Sequence, residues 1–261
     1  MSLIFDSHAH YYSQVFEEDR DELLVRMHEQ DGVKAILCPA ENLCSSAACV
    51  GLAEKYDFIY AAAGVHPNYA DIWTDDTAES LSALLDRERV VAAGEMGLDY
   101  YRRDDNRETQ KRVFAAQLEL AAEKKLPAVI HDREAHGDMY DMLRYYRPEG
   151  VMHCFSGSVE LAREALNLGL YIGLGGSVTA LNAVKPVEVA KYVPLDRLVL
   201  ETDAPYLIPR PYRTAPEKYK RSESWMIRYV AEFIAELRNT DPELLLDTAA
   251  RNAARLYRVE L

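Results

Sequence analysis

The chain has 261 residues, 49% hydrophobic and 28% charged, with a formal net charge of −13. This length suits one barrel or two small domains, and the composition is that of a globular protein. An acidic field of this size repels polyanions, so any phosphate-bearing substrate needs a local basic patch or bound cations. No apolar run approaches the ~18 residues of a membrane span. The segment Met1–Asp6 has no basic residue and reaches an acid at once, so no signal peptide is expected. Cys38, Cys44, Cys49 and Cys154 form no CxxC pair and no disulfide framework. Free thiols in a reducing, cytoplasmic setting are expected, with no membrane partner.

No compositional break or linker divides the chain, so a single domain over residues 1–261 is expected. Short apolar, β-branched runs recur at Leu3–Asp6, Val33–Cys38, Phe58–Gly64, Val90–Gly94, Ala128–Ile130, Val151–Met152, Leu170–Leu174 and Leu198–Leu200. Amphipathic stretches lie between them, among them Asp19–Gln30, Asp76–Arg89, Arg107–Lys125 and Ser158–Leu168. Ser158 reads as an N-cap and Gly169 as a stop. Helices at Ser222–Arg238 and Pro242–Tyr257 close the chain, the second with Asp241 as N-cap before Pro242. Strands alternating with helices imply parallel pairing, because each crossover must carry the chain back. Eight such strands in this length favour an α/β fold of the (β/α)8 barrel type over a doubly wound sheet. No GxGxxG fingerprint follows the first strand, which lowers the dinucleotide-binding alternative.

The polar residues follow the strands. His8 and His10 end the first, His66 the third, Glu95 the fourth, His131 the fifth, His153 the sixth and Asp203 the eighth. Barrel enzymes build their sites at these strand ends. His28 and His136 fall in helical stretches and read as surface residues. A single buried histidine is usually a hydrogen-bonded structural residue, and one carboxylate is as easily a cap or an ion-pair partner. The set changes that reading. His8 and His10, two apart on a strand, face the same way. Converging imidazoles and carboxylates inside a barrel are costly to bury without a cation. Nitrogen and oxygen donors without thiolate suit zinc or manganese better than a soft-metal site, and imidazole disfavours magnesium. Six ligands exceed what one tetrahedral ion and a water use, and suffice for two ions sharing a carboxylate. Asp203 is the natural acceptor for the proton of an activated water. No GxSxG elbow or P-loop offers another scheme, and Cys154 is expected to face the helix layer.

The segments Phe5–Tyr11 (FDSHAHY), Gly64–Pro67 (GVHP), Gly94–Arg102 (GEMGLDYYR), Ile130–Ala135 (IHDREA), His153–Gly157 (HCFSG) and Glu201–Leu207 (ETDAPYL) stand in that order. Together with Trp225–Tyr257 they resemble the signature blocks of the TatD-related deoxyribonucleases, within the amidohydrolase-like barrels. Any one block is a weak signal; six in order are specific. The resemblance implies a metal-dependent hydrolase cutting a phosphodiester of DNA, in single strands or at ends. It implies two divalent ions (zinc, manganese or magnesium), one held by His8, His10, Glu95 and Asp203. Glu95 would bridge to a second, held by His131 and His153. It further implies His66 near the substrate phosphate and Glu201 orienting a histidine ligand. Arg133 and Arg102 become candidate phosphate contacts.

The chain departs from the family after the eighth strand, where a basic residue and Asn-x-Pro are usual. Here the stretch reads Arg221-Ser222-Glu223-Ser224, after a basic loop over 209–221 holding Arg210, Arg213, Lys218, Lys220 and Arg221 against Glu217. Tyr212 and Tyr219 interleave with those charges. Basic side chains tracking phosphates, with tyrosines stacking on bases, suit a nucleic-acid substrate; a plain solvated loop is the alternative. Trp73 reads as a stacking platform or a loop anchor. Because fold and metals do not fix a substrate, an amide, an aminoacyl ester on tRNA or a small phosphoester stays open. A non-catalytic metal-binding protein fits the intact ligand set poorly. No obligate protein partner is evident.

Overall fold

The computed structural model describes residues 3–261. Met1 and Ser2, which begin the segment read for a signal peptide, lie outside the described residues. In chain order the first elements are β1 (Ile4–Asp6), α1 (Arg20–Glu29), β2 (Val33–Pro39) and α2 (Leu43–Lys55). Next come β3 (Ile59–Ala63), α3 (Asp75–Leu85), β4 (Val90–Asp99) and α4 (Arg107–Lys124). Then follow β5 (Ala128–Arg133), α5 (His136–Tyr146), β6 (Gly150–Met152) and α6 (Val159–Asn167). The last are β7 (Tyr171–Leu174), α7 (Val184–Tyr192), β8 (Leu198–Leu200), α8 (Arg210–Arg213), α9 (Ile227–Arg238) and α10 (Pro242–Tyr257). The strands form one eight-stranded sheet in sequence order, the topology of a (β/α)8 barrel. Among the described residues, no helix is long and apolar enough to cross a membrane.

Two compact units divide the chain. One comprises the chain up to Cys38 with Cys154–Glu164 and Ile172–Leu261; the other comprises Pro39–His153 and Ala165–Tyr171. In the first, β1 pairs with β2 and β7 with β8, all parallel. Beyond their formal ends β1 and β8 continue side by side, with an isolated parallel bridge between Ala9 and Ala204. The His10 N–H donates to Ala204 O (2.7 Å) and the Asp203 N–H to His8 O (2.9 Å), so His8, His10 and Asp203 share one rigid stretch of backbone. α10 covers β1 and β8. Its buried face includes Leu245, Leu246, Ala249, Ala253 and Leu256, and the Tyr257 ring lies 5.8 Å from Phe5. Asp241 caps α10 as expected, accepting from the Glu243 N–H.

The second unit carries β3 to β6, again parallel. Its longest helix, α4, buries Val113, Phe114, Leu118 and Ala121 and packs on β4. β4 runs five residues past the expected stop at Gly94, and β5 three past Ile130. Glycine there marks close packing, because a Cβ on Gly94 would sit 2.7 Å from the Val129 carbonyl oxygen. The β4–β5 register jumps between Ala93 and Met96, a bulge that re-aims the side chain at Glu95. α3 ends at Leu85, short of the expected Arg89. The Arg89 guanidinium instead donates to the carbonyls of Ala53, Asp57 and Ile59.

α9 begins at Ile227, later than the expected Ser222. Ser222 and Ser224 are fully buried, and their backbone N–H groups are taken by Pro205 O and the Tyr11 hydroxyl. His28 and His136 are half-buried and bonded rather than free surface groups. His28 Nδ1 lies 3.0 Å from Val33 O, and His136 Nδ1 lies 2.7 Å from Asp132 Oδ2.

Candidate metal centre

In the first unit, extended backbone after β1 turns His8 and His10 to the same side. Their Nε2 atoms stand 3.2 Å apart, at 3.6 and 3.2 Å from Asp203 Oδ1. His8 and His10 are buried, while the Asp203 side chain keeps 17% exposure. Asp203 sits at φ 57°, a left-handed conformation that a non-glycine residue holds only when its surroundings impose it. Its own N–H is held by His8 O, and the carbonyl of the next residue, Ala204, by the His10 N–H.

A second, deeper carboxylate supports this group. Asp6, wholly buried, accepts hydrogen bonds from the His8 and Thr202 N–H groups, the Thr202 hydroxyl and the Ser224 hydroxyl. Burial pushes its carboxyl up to about 7, against the pull of those four donors. Ser224 Oγ also lies 2.8 Å from the Tyr11 hydroxyl. The departure from the family pattern at Ser222 and Ser224 thus falls in a buried structural network. Glu201, also buried, accepts the Cys154 N–H.

In the second unit, Glu95 Oε1 lies 2.8 Å from His131 Nδ1 and 2.7 Å from His153 Nε2. Those two nitrogens are 3.2 Å apart. On the far side of its ring, His131 Nε2 lies 3.3 Å from Asp99 Oδ2. Asp99 is itself fixed by the N–H groups of Tyr101 and Arg102. Burial works to lower the His131 pKa, and the hydrogen bonds to Asp99 and Glu95 override it and raise it. Facing two carboxylates, both ring nitrogens are placed to donate, Nε2 to Asp99 and Nδ1 to Glu95, and Nδ1 offers a lone pair to a cation once it gives up that proton.

His66, Glu95 and His131 also bring donor atoms together within 4.8 Å. The tautomer argues against His66 as a ligand. Its Nδ1 accepts the Asn68 N–H (3.1 Å), so in the neutral ring Nε2 carries the proton. Burial keeps it neutral, pushing its pKa down to about 3 despite the nearby Glu95. His66 therefore presents a donor, with Nε2 3.6 Å from Glu95 Oε1.

Two glutamines of α4 hold this second group in place. Gln117 accepts the Val65 N–H (2.7 Å) and donates to Val65 O (2.9 Å), next to His66. Gln110, two turns earlier on the same face, accepts the Asp99 N–H (2.8 Å) and donates to Asp99 O (3.2 Å). Motif and strand-end reasoning passes over Asp99, Gln110 and Gln117. The signals available are an acid four residues from Glu95 on one strand and polar residues on the apolar side of an amphipathic helix.

Both groups contain only imidazole nitrogens and carboxylate oxygens, buried and aimed at common points. That donor set fits first-row divalent cations such as zinc or manganese. The candidate phosphate contacts are more peripheral. The Arg133 guanidinium stacks on the Tyr101 ring at 4.2 Å, and the Arg102 side chain is exposed. Arg213 lines a cavity beside Arg210. Arg221 is corrected to a structural role: it pairs with Asp19 and Glu223 and lies over the Phe16 ring. Tyr212 and Tyr219 contact each other (4.9 Å between ring centroids) and Trp225, so they form a packed cluster rather than open stacking platforms. Trp73 packs on Val65, Ala70 and Val113 as a loop anchor.

Residues 5–258 match the model of the family described as TatD related DNase. The chain is 40% identical over 260 residues to a metal-dependent hydrolase of Bacillus subtilis (strain 168), YabD, covering 98% of this chain and all of that one. It is 38% identical over 263 residues to the 3'-5' ssDNA/RNA exonuclease TatD of Cronobacter sakazakii, covering 97% of each. The crystal structure of YjjV, a TatD homologue from Escherichia coli K12, superposes with a TM-score of 0.90 at 32% identity, covering 98% of both chains. Sequence and fold agree over almost the full length: this chain is a metal-dependent hydrolase belonging to the TatD-related DNase family.

Proposed function

We propose that the protein hydrolyses phosphodiester bonds of single-stranded nucleic acid with two divalent cations. His8, His10, Glu95 and Asp203 would hold one, and Glu95, His131 and His153 the other. The observation that carries this reading is the pairing of imidazoles with a carboxylate in each of two groups, Glu95 Oε1 beside His131 and His153, and Asp203 Oδ1 beside His8 and His10. A relative named as an exonuclease of single-stranded DNA and RNA supports the substrate class. When bound, such cations polarise the phosphate and lower the pKa of an attacking water.

The residues divide the remaining work. Asp203, the partly exposed carboxylate, takes the proton of the attacking water and passes it to the leaving oxygen as the P–O bond breaks. His66, neutral and protonated on Nε2, donates to a phosphate oxygen. Asp99 keeps His131 in the tautomer that presents Nδ1. Glu201 and Asp6 hold the backbone beside His153 and His8. Four free cysteines suit a reducing compartment, in keeping with a cytoplasmic enzyme.

The test is a substrate screen on metal-free protein reloaded with Mn²⁺, Zn²⁺ or Mg²⁺. End-labelled single-stranded DNA and RNA, dipeptides and aminoacyl-tRNA would be offered in parallel. Metal-dependent shortening of the single strands is expected, and chelator should abolish it. Turnover confined to the amide or the aminoacyl ester would overturn the reading.

A further inference from the structure

A cavity of about 420 Å³ opens within the first unit, between the segment after β7 and the segment after β8. That volume lies in the range of small-molecule sites, about 300–1,000 Å³. None of the proposed metal ligands lines it. Leu181, Leu207 and Ile208 supply apolar wall, Asn182 supplies an amide, and Arg210 and Arg213 supply positive charge.

The walls are tied to each other, so the cavity is preformed. The Thr179 hydroxyl donates to Gly176 O (2.7 Å) on one wall and accepts the Arg210 N–H (2.9 Å) from the other. Leu207 holds a left-handed φ of 51°. Its carbonyl oxygen lies so close that a Cβ on Gly176 would stand 1.9 Å away. Only glycine permits that approach.

The lining is exposed and lacks charge partners. Leu181 is 82% exposed and Leu207 38%, a lip of apolar surface facing water. In a chain of net charge −13, Arg210 and Arg213 form no ion pair among the described residues, whereas nearby Arg221 has two. One cavity-lining segment starts close to the first ligand group: Leu207 follows Asp203 by four positions, and the ring of its neighbour Tyr206 meets His10 edge-on at 6.1 Å. Apolar walls, an amide and two unpaired guanidinium groups beside a phosphodiester site match a base with its phosphate better than a free anion or an apolar ligand.

We propose that this cavity is the subsite for the nucleotide next to the scissile phosphate. The base lies against Leu181, Leu207 and Ile208 with its edge toward Asn182, and Arg210 and Arg213 take the adjoining phosphate. This rests on the nucleic-acid reading above.

The test walks a single abasic residue along a single-stranded oligonucleotide, with the parent protein, Leu181→Ser, and Arg210→Gln combined with Arg213→Gln. In the parent, one position near the cut should raise KM about tenfold when its base is missing, as for removal of one well-held base. Leu181→Ser should nearly abolish that penalty, because the wall no longer holds the base; at 82% exposure the replacement leaves the core intact. The double arginine variant should flatten the salt dependence of binding by about 0.7 in slope for each phosphate no longer neutralised. A parent that cuts the strands with no position-sensitive base, or an undiminished penalty in Leu181→Ser, overturns the subsite and leaves the nuclease reading standing. A parent that cuts no oligonucleotide yet turns over an ester or amide overturns both.

Discussion

Asp203 joins three properties that seldom coincide: a strained backbone, partial exposure and contact with two imidazoles. Replacing it with Asn keeps the shape and removes the proposed proton acceptor. Turnover should fall on the order of 10²–10⁴-fold, with metal content measured alongside to separate lost chemistry from lost cation. Undiminished turnover at full metal content would refute the assignment. At this scale the sequence is informative as a set, because histidines and acids recurring just after several apolar runs have fewer structural explanations than any one alone. His8, His10 and Asp203 come together in one unit, as do Glu95, His131 and His153 in the other. Asp99 escapes such reasoning because an acid among polar residues after a glycine looks like a loop. Only the extension of β4 shows it on the same side as Glu95.

Among the elements, β4 and α4 show what pattern reading misses. Gly94 signals a strand end in sequence, yet the strand passes through it by a bulge and places Glu95 inside the sheet. Gln110 and Gln117 resemble surface residues of an amphipathic helix, yet both are buried and bond backbone groups beside Asp99 and His66. Leu at position 117 would fill similar space while stranding the Val65 N–H and C=O. Each stranded group costs about 1–3 kcal/mol, so Gln117→Leu should destabilise the protein by about 2–6 kcal/mol. Chemical denaturation measures it, and a change under about 1 kcal/mol would show that Val65 finds other partners. The basic loop is legible as charge but not as structure. One of the two partners that remove Arg221 from the pool of free cations, Asp19, lies far away in sequence.

For the molecule as a whole, the excess of acid over base makes cations central. A chain of net charge −13 that binds nucleic acid must reverse its sign locally, and bound metal with a few unpaired arginines can do that. On the proposed reading the strand ends hold the ligands and the connecting segments the substrate, a division of labour this architecture permits. Whether both ligand groups work together turns on how many metal ions the folded chain holds. The direct measurement is metal content per chain, by elemental analysis after saturation with Mn²⁺ or Zn²⁺ and removal of loose metal. Two equivalents are expected, falling to one when His131 and His153 are both replaced by Ala. Saturation of the parent at one equivalent would contradict a bridging Glu95 and the two-cation centre built on it.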